Sequence, residues 1–149
     1  MSLWKLGLFA FVAGFLAVLI FHQGLWYLLE IVGFTPFLRS AWALDPIPPF
    51  GVPSVLSKAS WGGVWGAGLA LLFRNQHGGA YWASWIVVGA VAPTLVAFLV
   101  VPPIKGEPLP ILWPGFPAGL VINAFWAFGT ALFLKLARAA PAQEESPSR

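Results

Sequence analysis

The chain contains no cysteine, and only 9% of its 149 residues are Asp, Glu, Lys or Arg. Without cysteine it cannot form a disulfide, bind a metal through thiolates or use a thiol nucleophile. Soluble domains are typically about 25% charged, so this chain has too little polar material to cover a surface in water. The composition therefore excludes a soluble enzyme domain.

Basic residues are few and scattered singly along the chain, whereas a nucleic-acid interface needs them clustered on one face. No nucleic-acid partner is therefore expected. Histidine is also scarce, with only His22 and His77, and the predicted topology places these two toward opposite faces of the membrane. Since a metal centre needs several clustered ligands, neither a metal site nor a haem held by two histidines is predicted.

Long apolar runs are what the chain does have, with 59% hydrophobic residues and a mean hydropathy of +0.82. Four runs, at about 6–29, 54–73, 80–101 and 117–136, each reach the roughly 20 residues that a helix needs to cross a bilayer. The first run is longer than the roughly 7–15 apolar residues of a signal peptide, so we expect it to remain uncleaved. The sequence thus predicts an all-α integral membrane four-helix bundle, with residues 1–138 as a single transmembrane domain.

Two connections between these runs are rich in proline: residues 31–53 hold five prolines and residues 102–117 hold six. Because proline lacks an N–H and fixes φ, neither connection is expected to form a regular helix or a central strand. Both are also apolar and aromatic, which predicts that they fold back on the membrane surface as outer lids. Residues 139–149 are small, polar and charged, and they are predicted to be a disordered cytoplasmic tail.

The orientation follows from basic residues near the helix ends. Lys5, Arg74, Lys135 and Arg138 would share one side, and the positive-inside rule places that side in the cytoplasm. Both termini are therefore predicted to be cytoplasmic, with the proline-rich loops on the outer side.

Small residues recur at every fourth position in the second and fourth helices. Residues of this size let two helix backbones approach closely, which drives association where the hydrophobic effect is absent. The predicted helix-packing residues are Gly62, Gly66, Ala70, Gly119 and Ala127.

Polar side chains from all four predicted helices lie at a similar depth below the outer surface. Polar groups inside a membrane are costly and are a reasonable hypothesis for a functional site, so we predict a shared ligand-binding layer. Its candidate members are His22, Gln23, Lys58, Ser60, Thr94 and Asn123, with Glu30 just above them. Hydrogen bonding between helices is an alternative for His22 and Asn123, and Lys58 could instead extend to the interface.

No catalytic residue is predicted, although a dyad of His22 with Ser57 or Ser60 is a minor alternative that would make the protein an intramembrane hydrolase. No cofactor is required by the sequence. A single imidazole such as that of His22 could ligate a tetrapyrrole, for example a chlorophyll.

Three segments, Phe21-His-Gln-Gly24, Pro48-Pro-Phe-Gly-Val-Pro53 and Trp61-Gly-Gly63, resemble uncharacterised small inner-membrane proteins of proteobacteria. The resemblance covers about the first two helices; it implies a multi-pass protein of the bacterial inner membrane and supplies no activity. The leading functional hypothesis is a non-enzymatic accessory or assembly subunit that packs against larger membrane proteins or a second copy, with membrane lipid or a pigment bound. The alternative is a small transporter or ligand-binding protein that uses the polar layer.

Overall fold

Four helices make up most of the chain in the computed structural model, which describes residues 2–37 and 39–139. The helices span Leu3–Ile31 (α1), Ser54–Leu72 (α2), Gly78–Ile104 (α3) and Gly115–Ala139 (α4). They lie where the hydropathy pattern predicts them, and α1, α3 and α4 extend two or three residues beyond the predicted ends. The predicted cytoplasmic tail falls almost entirely outside the described residues.

Three of the four helices, α1, α3 and α4, are long and apolar enough to cross a membrane. The remaining helix, α2, has 19 residues and is less apolar, because Lys58 and three serines interrupt its hydrophobic residues. The described chain therefore contains three candidate membrane spans rather than the four predicted from the sequence.

Two helices contain a π-helical turn. In α1 the turn Val18–His22 joins the α-helical segments Leu3–Ala17 and Gln23–Ile31. In α3 the turn Val96–Val100 is followed by a last α-helical turn, Val101–Ile104. Such turns interrupt the i→i+4 hydrogen-bond ladder and are frequent at functional sites.

The second proline-rich connection is shorter than predicted, because α3 continues through Pro102 and Pro103 to Ile104. The prediction of a loop from residue 102 was wrong for a physical reason. The two prolines occupy the first turn of the segment after the π turn, a position where proline is tolerated. Gly106, at φ +71°, then reverses the chain so that the Glu107 N–H donates to the Pro102 carbonyl at 2.9 Å.

The first proline-rich connection contains a short antiparallel ribbon of β1 (Pro46–Ile47) and β2 (Val52–Pro53). Pro46 is opposite Pro53 and Ile47 is opposite Val52. Both strands are edges, where proline is tolerated. The ribbon leads directly into the first turn of α2.

Small residues set the distances between the helices. Gly14 of α1 faces Gly62 and Gly66 of α2, and the Trp126 indole of α4 reaches the same place, where its Nε1 donates to the Gly14 carbonyl at 2.9 Å. Gly89 of α3 packs against Ala127 of α4. Helix α1 therefore packs between α2 and α4, and α3 lies against α4.

Candidate functional site

Gln23 is the centre of the polar group formed by α1 and the first proline-rich connection. Its side chain is fully buried, and its Oε1 accepts a hydrogen bond from the Trp42 backbone N–H at 2.8 Å. Its Nε2 donates to Nδ1 of the neighbouring His22 at 3.2 Å. Both ends of the Gln23 amide therefore have partners within the protein.

Trp42 links the first proline-rich connection to the π turn of α1 by a hydrogen bond. Its indole Nε1 donates to the Leu19 carbonyl at 3.0 Å, and its ring lies 5.6 Å from the ring of Tyr27. Trp42 has a φ of +50°, a left-handed conformation that is uncommon for a residue with a side chain. The conformation is maintained by hydrogen bonds from both the backbone and the indole.

Glu30 provides a third attachment, since its Oε1 accepts a hydrogen bond from the Ala41 N–H at 2.9 Å. At the other end of the connection, the Ala43 and Asp45 carbonyls accept hydrogen bonds from the Val55 and Ser54 N–H groups at the start of α2, each at 3.0 Å. The connection thus folds back over the ends of α1 and α2. Gln23 and Glu30 anchor it.

Lys58 lies on α2 beside this group. Its Nζ donates to Ser54 Oγ at 3.1 Å and lies 4.7 Å from the centre of the Trp26 ring. Both neighbours are neutral, and no carboxylate within residues 2–37 and 39–139 is at ion-pairing distance from this ammonium group. Lys58 is therefore a cation held by a hydroxyl group and an aromatic face.

Thr94 and Asn123 form a second polar group, between α3 and α4. Asn123 Nδ2 donates to Thr94 Oγ1 at 2.8 Å, and the Thr94 hydroxyl donates to the Ala90 carbonyl at 2.6 Å. Gly119 leaves room for this pair, because a Cβ there would lie 3.2 Å from Thr94 Cγ2. In the described part of the chain, no hydrogen bond joins this pair to the group around Gln23. The predicted layer is divided into two groups.

The two serines of the alternative dyad, Ser57 and Ser60, lie on the side of α2 that lines a surface cleft. Ser60 is exposed and donates to the Leu56 carbonyl at 2.9 Å. Ser57 and Ser60 line an apolar cleft of about 290 Å³ between α2 and the ribbon. Among the described residues neither serine is hydrogen-bonded to His22, whose Nδ1 is bonded to Gln23. Over the same residues, no three His, Asp or Glu side chains are grouped as a metal site would require.

The predicted packing residues lie between helices. Gly62, Gly66 and Ala70 are buried on the side of α2 that faces α1, and Ala127 is buried against α3. Sequence reasoning missed their partner Gly14, although Ala10 and Gly14 have the same four-residue spacing. It also missed Trp42, for which the sequence has no comparable signal.

Comparisons with protein-family models, with curated proteins and with solved structures find no match to this chain. Gln23, Glu30, Thr94 and Asn123 use their polar groups within the protein. Lys58 is the one charged candidate whose described contacts are a hydroxyl group and an aromatic ring.

Proposed function

We propose that this chain is a multi-pass protein of the bacterial inner membrane in which all four helices cross the bilayer. In this proposal both termini are cytoplasmic, and the protein acts as a non-catalytic accessory or assembly subunit that packs against larger membrane proteins. The observation that carries the proposal is the exposed face of α3, where only 17% of the apolar span is buried, against 33% in α1 and 39% in α4.

The α3 face consists of exposed residues at every fourth position. Its members are Ala83, Val87, Val91, Leu95 and Leu99. A continuous apolar stripe of this kind would be unusual on a soluble monomer. The residues in its first half are small or β-branched, so that another helix can approach closely, as helix association in membranes requires. By contrast, the exposed face of α1 carries bulky side chains such as Trp4, Leu8 and Phe9.

The polar groups support a non-catalytic role. Gln23 and Glu30 anchor the first connection, and the Thr94–Asn123 pair joins α3 to α4. Each of these contacts satisfies a group that would otherwise cost free energy inside the membrane.

Purification in mild detergent followed by native mass spectrometry tests the proposal. The wild-type chain should appear in a complex of fixed stoichiometry, with another membrane protein or with a second copy. Val91→Trp should disrupt that complex, whereas Val12→Trp should preserve it, because Val12 has a similar exposure on α1 (47% against 42%). A solitary wild-type monomer, or equal effects of the two variants, would refute the proposed role.

The membrane orientation has its own test, which the absence of cysteine makes simple. Single cysteines are introduced as His77→Cys, in the turn between α2 and α3, and Glu107→Cys, after α3. A membrane-impermeant maleimide should label the Glu107→Cys protein in intact spheroplasts and the His77→Cys protein only after permeabilisation. The reverse labelling would contradict the orientation.

A small transporter or ligand-binding protein is the second candidate, and the environment of Lys58 favours it. A cation whose direct contacts are the Ser54 hydroxyl and the Trp26 ring could attract an anion. Lys58→Ala and His22→Ala should then abolish binding or transport, while Lys105→Ala, in the second proline-rich connection, should not. If binding or transport survives both substitutions in a folded protein, the polar group is structural.

A further inference from the structure

Besides the cleft lined by Ser57 and Ser60, the protein has a cavity at the end opposite the proline-rich connections. It has a volume of about 380 Å³ and is lined by Leu3, Leu6, Arg74, Asn75 and Arg138. Three separate parts of the chain meet there: the start of α1, the turn after α2 and the end of α4. The volume lies within the range of small-molecule sites, about 300–1,000 Å³.

The charge at this cavity is positive and has no nearby opposite charge in the described chain. Arg74 donates one hydrogen bond to the Leu71 carbonyl at 2.9 Å, which leaves its other N–H groups available. The carboxylates in residues 2–37 and 39–139 are at the opposite helix ends: Glu30 at the end of α1, Asp45 before α2 and Glu107 after α3. Two guanidinium groups therefore face one cavity without an acidic partner.

Aromatic residues place this end of the protein at a membrane surface. Lys135 Nζ lies 5.1 Å from the centre of the Trp82 ring, and Lys5 Nζ lies 5.7 Å from that of Trp4. Tryptophan is enriched where lipid headgroups meet the hydrocarbon region. The two lysines near the arginines increase the positive potential at the same level.

We propose that this cavity binds the phosphate group of an anionic phospholipid. Arg74 and Arg138 would donate to the phosphate oxygens, a geometry for which guanidinium is well suited. Leu3 and Leu6 form an apolar wall against which the upper part of an acyl chain can pack. Basic pockets between transmembrane helices are known to bind such headgroups. The inference rests on the membrane placement proposed above and not on the accessory role.

Native mass spectrometry of the delipidated protein, released from detergent, tests this site. The protein is titrated with phosphatidylglycerol or phosphatidylcholine of the same acyl composition and, in a separate series, with inorganic phosphate. The test variant is Arg74→Gln/Arg138→Gln. The control is Arg39→Gln/Lys105→Gln, which removes the same charge from the proline-rich end. Carbonate extraction of membranes beforehand shows independently whether the chain is an integral membrane protein.

We expect the wild-type chain to bind phosphatidylglycerol at least about tenfold more tightly than phosphatidylcholine. Both lipids carry the phosphate, but phosphatidylcholine adds a trimethylammonium cation, which the two guanidinium groups repel. The arginine variant should lose this preference and the control should retain it. Equal affinity for the two lipids, or an unchanged preference in the arginine variant, would overturn the proposal. Binding of inorganic phosphate without a lipid preference would also overturn it, since the ligand would then be a soluble anion.

Discussion

The contact between α1 and α2 at Gly14 gives the sharpest test of the fold. A Cβ added at Gly14 would overlap the carbonyl oxygen of Gly62 and lie 3.2 Å from Gly66 Cα. These are backbone atoms of a helix, so they cannot rotate away as a flexible side chain could. Gly14→Ala must therefore push the two helices apart.

The expected cost has three contributions. Overpacking against a rigid backbone costs up to about 3 kcal/mol. Separation of the helices also weakens the hydrogen bond from Trp126 Nε1 to the Gly14 carbonyl, worth about 1 kcal/mol. The higher helix propensity of alanine stabilises the variant by about 1 kcal/mol and offsets part of this loss. The net loss of unfolding free energy is therefore up to about 3 kcal/mol, and a loss of that size corresponds to a Tm lower by about 6–12 °C for a chain of this length.

Thermal unfolding in detergent micelles, followed by tryptophan fluorescence, measures this loss. Gly7→Ala and Gly24→Ala are matched controls on the same helix, because nothing lies within 4 Å of a Cβ at either position. Both controls should melt at or slightly above the wild-type temperature. A Gly14→Ala protein as stable as wild type, or controls that lose as much stability, would refute the close approach of α1 and α2.

Three further predictions concern the polar contacts. Gln23→Leu should cost about 1–3 kcal/mol, because it leaves the Trp42 N–H without its acceptor; hydrogen exchange should accelerate at residues 41–42 and not at 105–107. Trp42→Phe preserves a ring beside Tyr27 and removes only the bond to the Leu19 carbonyl, so its Tm should reflect a loss of about 1 kcal/mol. Asn123→Leu should cost only about 0.6–1.7 kcal/mol, since the Thr94 hydroxyl remains bonded to Ala90; a loss as large as that of Gly14→Ala would contradict this interpretation.

The helices could be predicted because an apolar run is a local property of the sequence. The interruptions could not: neither π turn has a local signal, and the proline rule ended α3 too early at Pro102. That rule describes a proline in a continuous helix, whereas Pro102 and Pro103 begin a new helical segment after the π turn. The position of a π turn depends on contacts with the neighbouring helix, which the local sequence does not contain.

The sequence predicts a depth for each candidate residue but does not predict its partners. Counting residues along each helix gives the height expected for Gln23 or Asn123, and nothing in that count gives the order of the helices around the bundle. Because α1 packs between α2 and α4, Gln23 and Lys58 lie on one side, and the Thr94–Asn123 pair lies on the other. The contact of Gln23 with Trp42 spans 19 residues of irregular chain, whose path no periodicity describes.

The helix order also bears on how a partner could dock. Helices α1 and α2 are joined by the Gly14 contact and by the first connection, whereas α3 lies along α4 and meets α2 only to a small extent. The contacts of α3 with α4 at Tyr81 and Gly89 are on the side away from the α3 face, and the Thr94–Asn123 pair lies at the edge of that face, with Thr94 buried against α4. A partner could therefore cover the α3 face without displacing any of these interactions. An accessory subunit of this kind would add its surface to a larger assembly while its own core stays intact, which is why Val91→Trp should affect the complex and not the fold.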